Sequence, residues 1–233
     1  MTVNEPLLEG FLVRRYKRFL MDIRLDGGRV VTVHCPNSGS MTGCLKEGAR
    51  VLASPSRNPK RKLSHTAEWI QMEDGWVGIN THLSNKIVGE ALRAGAVPEL
   101  SGYDEVRAER PYGRCSRADF LLSASGRRDC YVEVKNTTLP GREQAVAFPD
   151  AVTLRGQKHL DELMDAAGNG KRAVMFFLVN RPGGRYFKPA RTIDPVYAAK
   201  LAAAAAAGVE VLSYRSVIEP PTVVLGDAVP VRL

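Results

Sequence analysis

The feature that most constrains the fold is a change of punctuation near residue 80. From 10 to about 80 the apolar runs are short and bounded by Gly-rich turns: GFLVRRYKRFLMDIRL, the turn Asp26-Gly27-Gly28, RVVTVHC, then RVLASP, SHTAEWIQM and GWVGINT around Asp74-Gly75. Runs of this length read as strands, and five of them predict a small all-β barrel over residues 1–83. An OB-like barrel leads among such solutions, because it closes with five strands and binds nucleic acid. From 84 to 233 helical patterns enter. NKIVGEALRAG predicts a helix ending at Gly95, with Val97-Pro98 as its stop, and CSRADFLLSASGRRDCYVEVKN reads as two strands around Ser125-Gly126. VTLRGQKHLDELMDAAG sets Leu160, Leu163, Met164 and Ala167 on one helical stripe, and RAVMFFLVN follows as a buried strand. The last helix is marked by Asp194 as N-cap, Pro195 in the first turn and Gly208 closing KLAAAAAAG, before VEVLSYR returns to strand. The order α-β-β-α-β-α-β makes this half an α/β domain with a mixed sheet.

At 233 residues with 44% hydrophobic content, the chain can bury the cores of one large or two small domains. A net charge of +8 favours a polyanionic partner. Cys35, Cys44, Cys115 and Cys130 form no CxxC pair, so reduced thiols are expected rather than a zinc ribbon or a secreted disulfide scaffold. MTVNEPLLEG has no basic and apolar leader pattern, and AVMFFLV is too short to span a bilayer. A cytoplasmic protein without a membrane partner is the expectation.

The chemistry is carried by CYVEVKNTT at 130–138. Strand alternation puts Val132 and Val134 on one face and Tyr131, Glu133 and Lys135 on the other. An exposed Glu–Lys pair is an ordinary solvated face worth little. If 117–124 pairs antiparallel with 130–136, however, Asp119 comes beside Glu133, and two carboxylates share a site with one lysine. Such a pair is costly without a cation, and its hard oxygens suit Mg²⁺ or Mn²⁺. Asp119 and Glu133 would then hold the metal, and Lys135 would orient the attacking water of a phosphodiester hydrolysis. Glu90 on the preceding helix is a candidate third carboxylate or a solvated charge. Gln157, three residues before Leu160, is a candidate for the metal-bound water or a satisfied amide. Arg117 shares a strand face with Asp119 and either meets the scissile phosphate or balances the acids.

RYKRF, HCPNSGSMTG, NPKRKLSHT, GYDEV, SRADF, YVEVKN and PDAVTLRGQKHL together resemble the sugar fermentation stimulation protein A family along nearly the whole chain. The resemblance implies an N-terminal OB-like barrel and a C-terminal domain similar to PD-(D/E)XK nucleases. It maps Asp119 and Glu133-Val134-Lys135 onto the metal-binding and catalytic positions, with Glu90 and Gln157 as helical additions. Ala118 stands where that pattern has proline, and Asn136 where serine is more usual. The resemblance also implies DNA binding linked to sugar catabolism, maltose in particular, which is compatible with a non-catalytic regulator. It leaves room for a homodimer.

Two basic clusters are the expected nucleic-acid contacts, most readily to DNA. RRYKR places Arg14, Arg15, Lys17 and Arg18 around Tyr16 on one long predicted strand, and RNPKRK adds Arg57, Lys60, Arg61 and Lys62 in a loop. Cations track phosphates while an aromatic ring stacks a base; Trp69 and Trp76 are expected in the core. HCPNSGSMTG predicts a tight loop whose amides approach a phosphate or the second domain, and its His34 and Cys35 lack zinc spacing with Cys44 and His65. His159, next to Lys158, is a candidate for substrate contact, with a surface position as the default expectation.

Overall fold

A computed structural model describes the chain except residues 113–115, so Cys115 lies outside the described residues. The barrel is built from β1 (Leu8–Tyr16), β2 (Leu20–Arg24), β3 (Val30–His34), β4 (Arg50–Pro55), β5 (His65–Met72) and β6 (Gly75–Gly78). Its sheet runs β3-β2-β1-β4-β5-β6, and a parallel bridge from His34 to Thr66 joins β3 to β5. Five strands therefore close on themselves, with β6 appended to β5. Alternating side chains fill the interior, among them Leu12, Met21, Ile23, Val33, Val51 and Ile70. Trp69 is buried, and half-buried Trp76 lies under the Arg50 guanidinium.

The expected long first strand is a hairpin. Lys17 and Arg18 take left-handed dihedrals (φ 46° and 63°) and reverse the chain between β1 and β2, which pair from Tyr16–Leu20 back to Phe11–Arg24. No Gly, Asn or Pro marks this turn, so its sequence signal is missing.

The second half contains α1 (Thr81–Arg93), β7 (Glu105–Tyr112), β8 (Ser116–Ser123), β9 (Cys130–Thr137), β10 (Leu139–Pro140), β11 (Ala145–Phe148), α2 (Leu154–Gly168), β12 (Arg172–Val179), β13 (Tyr186–Pro189), α3 (Pro195–Ala206), β14 (Glu210–Glu219) and β15 (Thr222–Ala228). The large sheet has the order β15-β14-β12-β9-β8-β7; β9, β12 and β14 are parallel and the outer pairings antiparallel. This is a mixed α/β sheet with both faces covered. On one face α1 packs Ile87 and Val88 with Phe120, Val132, Val134 and Phe176. On the other, Leu160, Leu163 and Leu201 of α2 and α3 meet Met175 and Phe177. Burying each such side chain contributes about 1.5–3 kcal/mol.

The helical half opens at Thr81, inside the expected barrel segment 1–83. The first residues depart further from that segment. Val3 donates to Pro221 O, Val223 donates to Met1 O, and Val3 is buried against the α1 face, so residues 1–3 extend the edge of the second sheet. The two halves meet along β6. Gly78 N donates to Asn180 O at 2.8 Å, and a Cβ at Gly78 would sit 2.2 Å from the Asn180 amide, so this approach requires glycine. Arg181 adds bonds to Asp74 (2.6 Å) and to Thr138 O (2.9 Å).

Candidate active site

Strand β8 pairs with β9 in the register Phe120–Val132 and Leu122–Cys130, which brings Asp119 opposite Glu133. Backbone pairing stops there, because the Asp119 carboxylate takes the Val134 amide itself (2.7 Å) and accepts a second bond from Asn85 Nδ2 of α1 (2.6 Å). Burial first, and the neighbouring Glu133 charge second, push the Asp119 carboxyl up to about 6. Glu133 is 2% exposed. Its Oε1 accepts from Lys135 Nζ at 2.6 Å and from His159 Nδ1, while Oε2 is buried with no partner among the described residues. Burial alone would raise the Glu133 carboxyl, but the Lys135 charge and the His159 bond hold it below the usual range.

His159 is buried, contrary to the expected surface position. Arg155 Nε donates to His159 Nε2 at 3.3 Å, so the Nδ1–H is the hydrogen directed at Glu133. Its signal was present in the helical spacing: Gly156, His159, Leu160 and Leu163 form the buried i, i+3, i+4, i+7 stripe of α2. These groups line a cleft of about 530 Å³ together with Arg18 from the barrel hairpin, Asn37 and Gly39 from the 34–43 loop, and residues leading into α2. Two carboxylates and three cations, those of Arg18, Lys135 and Arg155, thus line one cavity between the halves.

Glu90 is not part of the cluster. It lies on the exposed side of α1 and pairs with the N-terminal amine at 2.9 Å; five residues, about 7.5 Å of helix, separate it from Asn85, which is the residue that reaches Asp119. Gln157 is also elsewhere. Its amide donates to both oxygens of Asp194 (3.0 and 3.1 Å), because its turn of α2 faces α3. Asp194 also accepts from Thr153 N and Tyr197 N at 2.9 Å, so it ties the starts of both helices together, and these donors hold its buried carboxyl below the usual range. Asp194→Ala is expected to cost about 2–3 kcal/mol, measured by urea unfolding, with the loss shrinking as acid protonates the parent's carboxyl.

The basic clusters divide by function. Arg15 donates to Asn37 O (2.7 Å) and Gly39 O (3.0 Å) and so clamps the 34–43 loop instead of facing solvent. That loop meets the second domain: Ser40 Oγ donates to Asp150 O (2.6 Å) and Met41 N to Asp150 Oδ2 (2.8 Å). Arg14 pairs with Asp22 at 2.9 Å and covers the Tyr16 ring, 4.8 Å from its centroid, so one face of that ring is taken. Lys17 and Arg18 remain exposed on the β1–β2 turn, beside Phe19, an exposed aromatic that alternation did not single out. Arg57, Lys60 and Lys62 are exposed on the β4–β5 connection; Arg57 reaches Asn4 (2.5 Å), and half-buried Arg61 donates to Thr66 Oγ1 (3.1 Å). In OB barrels the β1–β2 and β4–β5 connections flank the ligand face. Arg117 is exposed on β8 and outside the cleft lining. Cys35, Cys44 and Cys130 are buried free thiols.

Comparison with known proteins agrees with this two-part build. The family model described as the SfsA N-terminal OB domain matches residues 13–79, and the one described as the sugar fermentation stimulation protein RE domain matches residues 82–222. Curated relatives named sugar fermentation stimulation protein homolog include one from Geobacter sulfurreducens, 51% identical over 99% of this chain and 98% of its own. Another, from Pelobacter propionicus, is 52% identical over 98% of each chain. The solved structure of Pyrococcus furiosus SfsA in complex with Ca²⁺ superposes with a TM-score of 0.89 over 100% of both chains at 27% identity.

Proposed function

The chain belongs to the sugar fermentation stimulation protein family, and from that premise we propose that it binds nucleic acid, most readily DNA, and hydrolyses phosphodiesters with Mg²⁺ or Mn²⁺. The observation that carries this reading is Glu133 Oε2, a buried oxygen without a partner among the described residues, in a carboxylate that shares its cleft with an Asp119 carboxyl pushed up to about 6. Both features fit a hard divalent ion held by one or two carboxylates with waters completing the shell. Asp119, Glu133 and the Val134 carbonyl would hold it, as the PD-(D/E)XK resemblance implies. The Ca²⁺ complex of the Pyrococcus furiosus relative supports an oxygen-loving ion in this family. The chemistry supplied by such an ion is a more acidic bound water and neutralised phosphoryl charge.

The chain's own groups do the remaining work. Arg18 and Arg155, both lining the cleft, bind the phosphate. The Lys135 ammonium, 2.6 Å from Glu133, hydrogen-bonds the attacking water and offsets charge growing on the phosphoryl oxygens. His159 keeps Glu133 turned into the cleft, and Arg155 fixes the His159 ring. The barrel hairpin and the β4–β5 connection track the backbone of the strand outside the cleft. Binding without cutting, as in a regulator of sugar-utilisation genes, is the second reading. It is favoured by one observation: Lys135 and His159 both bond Glu133 Oε1, so the chain's own groups already offset that charge.

Incubation of the full chain with Mg²⁺ and labelled single-stranded, duplex and branched DNA and RNA separates the two. Cleavage that EDTA stops and Lys135→Ala slows by about 10²–10³-fold is the expected result; retention of every substrate uncut at all metal concentrations would leave the regulator. In the same assay, Arg57→Ala/Lys60→Ala/Lys62→Ala should weaken binding and lower the log–log salt slope by roughly 0.7 per lost contact to a single strand.

A further inference from the structure

A second cavity, of about 690 Å³, opens on the small sheet formed by β10, β11 and β13. Arg142, Lys188, Arg191 and Arg232 line it, no Asp or Glu side chain does, and none of the four cations makes an ion pair among the described residues. Tyr186 lies in its wall with the Arg232 guanidinium 3.9 Å from the ring centroid and Lys188 Nζ at 5.9 Å, and its hydroxyl donates to Glu143 at 3.5 Å. Unpaired cations around an aromatic ring in an apolar hollow match one ligand chemistry: a phosphate carrying a flat, apolar body.

Leu139 and Ala147, paired across β10 and β11, border both this cavity and the cleft of Asp119 and Glu133. A strand leaving the cleft over that shared wall enters the basic hollow at once. We infer that the hollow around Tyr186 is a second nucleotide subsite, which holds a phosphate and base of the nucleic-acid strand beyond the scissile position. The inference rests on the nucleic-acid reading above and deepens it: the substrate is a strand long enough to cover both cavities, and unpaired where it crosses Leu139 and Ala147. A free nucleotide offers the same chemistry from another source.

Binding is the readout, measured by fluorescence anisotropy with labelled oligonucleotides of 5, 10 and 20 nucleotides on the full chain carrying Asp119→Asn to prevent cutting. The four cations are removed together as Arg142→Ala/Lys188→Ala/Arg191→Ala/Arg232→Ala, and Arg191→Glu, a single change at an exposed position, serves as a second variant should the first fold poorly. The expected result is a loss of about tenfold or more for the longer oligonucleotides, a salt slope lower by up to roughly 3 if all four contacts are lost, and little change for the 5-mer. Equal affinity at every length, or an equal loss at every length, would overturn the subsite. Deoxyadenosine monophosphate is titrated alone as the other source; its loss from the variants with strand affinity unchanged would assign the hollow to a free nucleotide and overturn the strand assignment. A chain that binds but never cuts sinks only the hydrolytic reading, one that cuts with these variants unaffected sinks only the subsite, and one that binds no nucleic acid sinks both.

Discussion

Asp119→Asn is expected to stop phosphodiester cleavage while making the metal-free protein more stable. The carboxyl rises from its usual 3.8 to about 6, chiefly through burial and then through Glu133, against the opposing Val134 amide, Lys135 and Asn85. Between about pH 4 and 6 the folded chain therefore keeps a proton that the unfolded chain has lost, and stability falls as pH rises through that window. Above pH 6 the full cost is present, on the order of 3 kcal/mol for a displacement of this size. An asparagine still accepts the Val134 amide but carries no charge. At pH 7.5 in EDTA the variant should gain about 1–3 kcal/mol over the parent, the gain vanishing near pH 4, while metal-dependent cleavage drops by about 10³-fold. Urea unfolding across pH reads the first and single-turnover cleavage the second. A variant equally destabilised at every pH would mean that Asp119 serves the fold and not the site.

Lys135→Ala should carry the opposite stability sign. Its charge is the foremost of the influences that hold Glu133 ionised in a pocket where that residue is 2% exposed. Removing one partner of a buried pair costs about 3–5 kcal/mol. With the parent, Glu133 is held low, so its contribution is present above the ordinary carboxylate range and is lost as acid protonates it. Without Lys135 burial prevails, so the deficit should be largest at neutral pH and shrink as pH falls toward 4. Cleavage should fall by about 10²–10³-fold. Lys135→Arg keeps the charge on a longer, planar head; stability should largely return and cleavage should not. Equal recovery of both would reduce Lys135 to a structural counter-charge.

The pair of carboxylates and the lysine were legible because strand alternation and an antiparallel register are local rules, and Asp119, Glu133 and Lys135 obey them. The α3 helix was legible for the same reason, with Asp194, Pro195 and Gly208 each in the place its chemistry favours. What escaped depends on neighbours distant in sequence. Glu90 and Gln157 sit on correctly placed helices, yet their rotation toward the N-terminal amine and toward Asp194 is set by packing of α1 and α2. His159 was readable from the buried stripe of α2, but a histidine gives no sign of the Glu133 beneath it. Arg15 looked like its neighbours in RRYKR, and only the loop at 37–39, folded back across β1, makes it a clamp. The edge strands β7 and β15 and the small sheet of β10, β11 and β13 carry too few alternating residues to announce themselves, and one strand of that sheet is two residues long. The turn at Lys17 and Arg18 lacks any residue that prefers a positive φ.

The central claim is that Asp119 and Glu133 jointly hold a divalent ion. Anomalous diffraction from crystals of the full chain soaked in Mn²⁺ tests it most directly. The account predicts a Mn²⁺ peak bonded to both carboxylates, with Lys135 Nζ still within hydrogen-bonding reach of Glu133; it is contradicted if no peak appears and the ammonium, or a guanidinium, occupies the space between them.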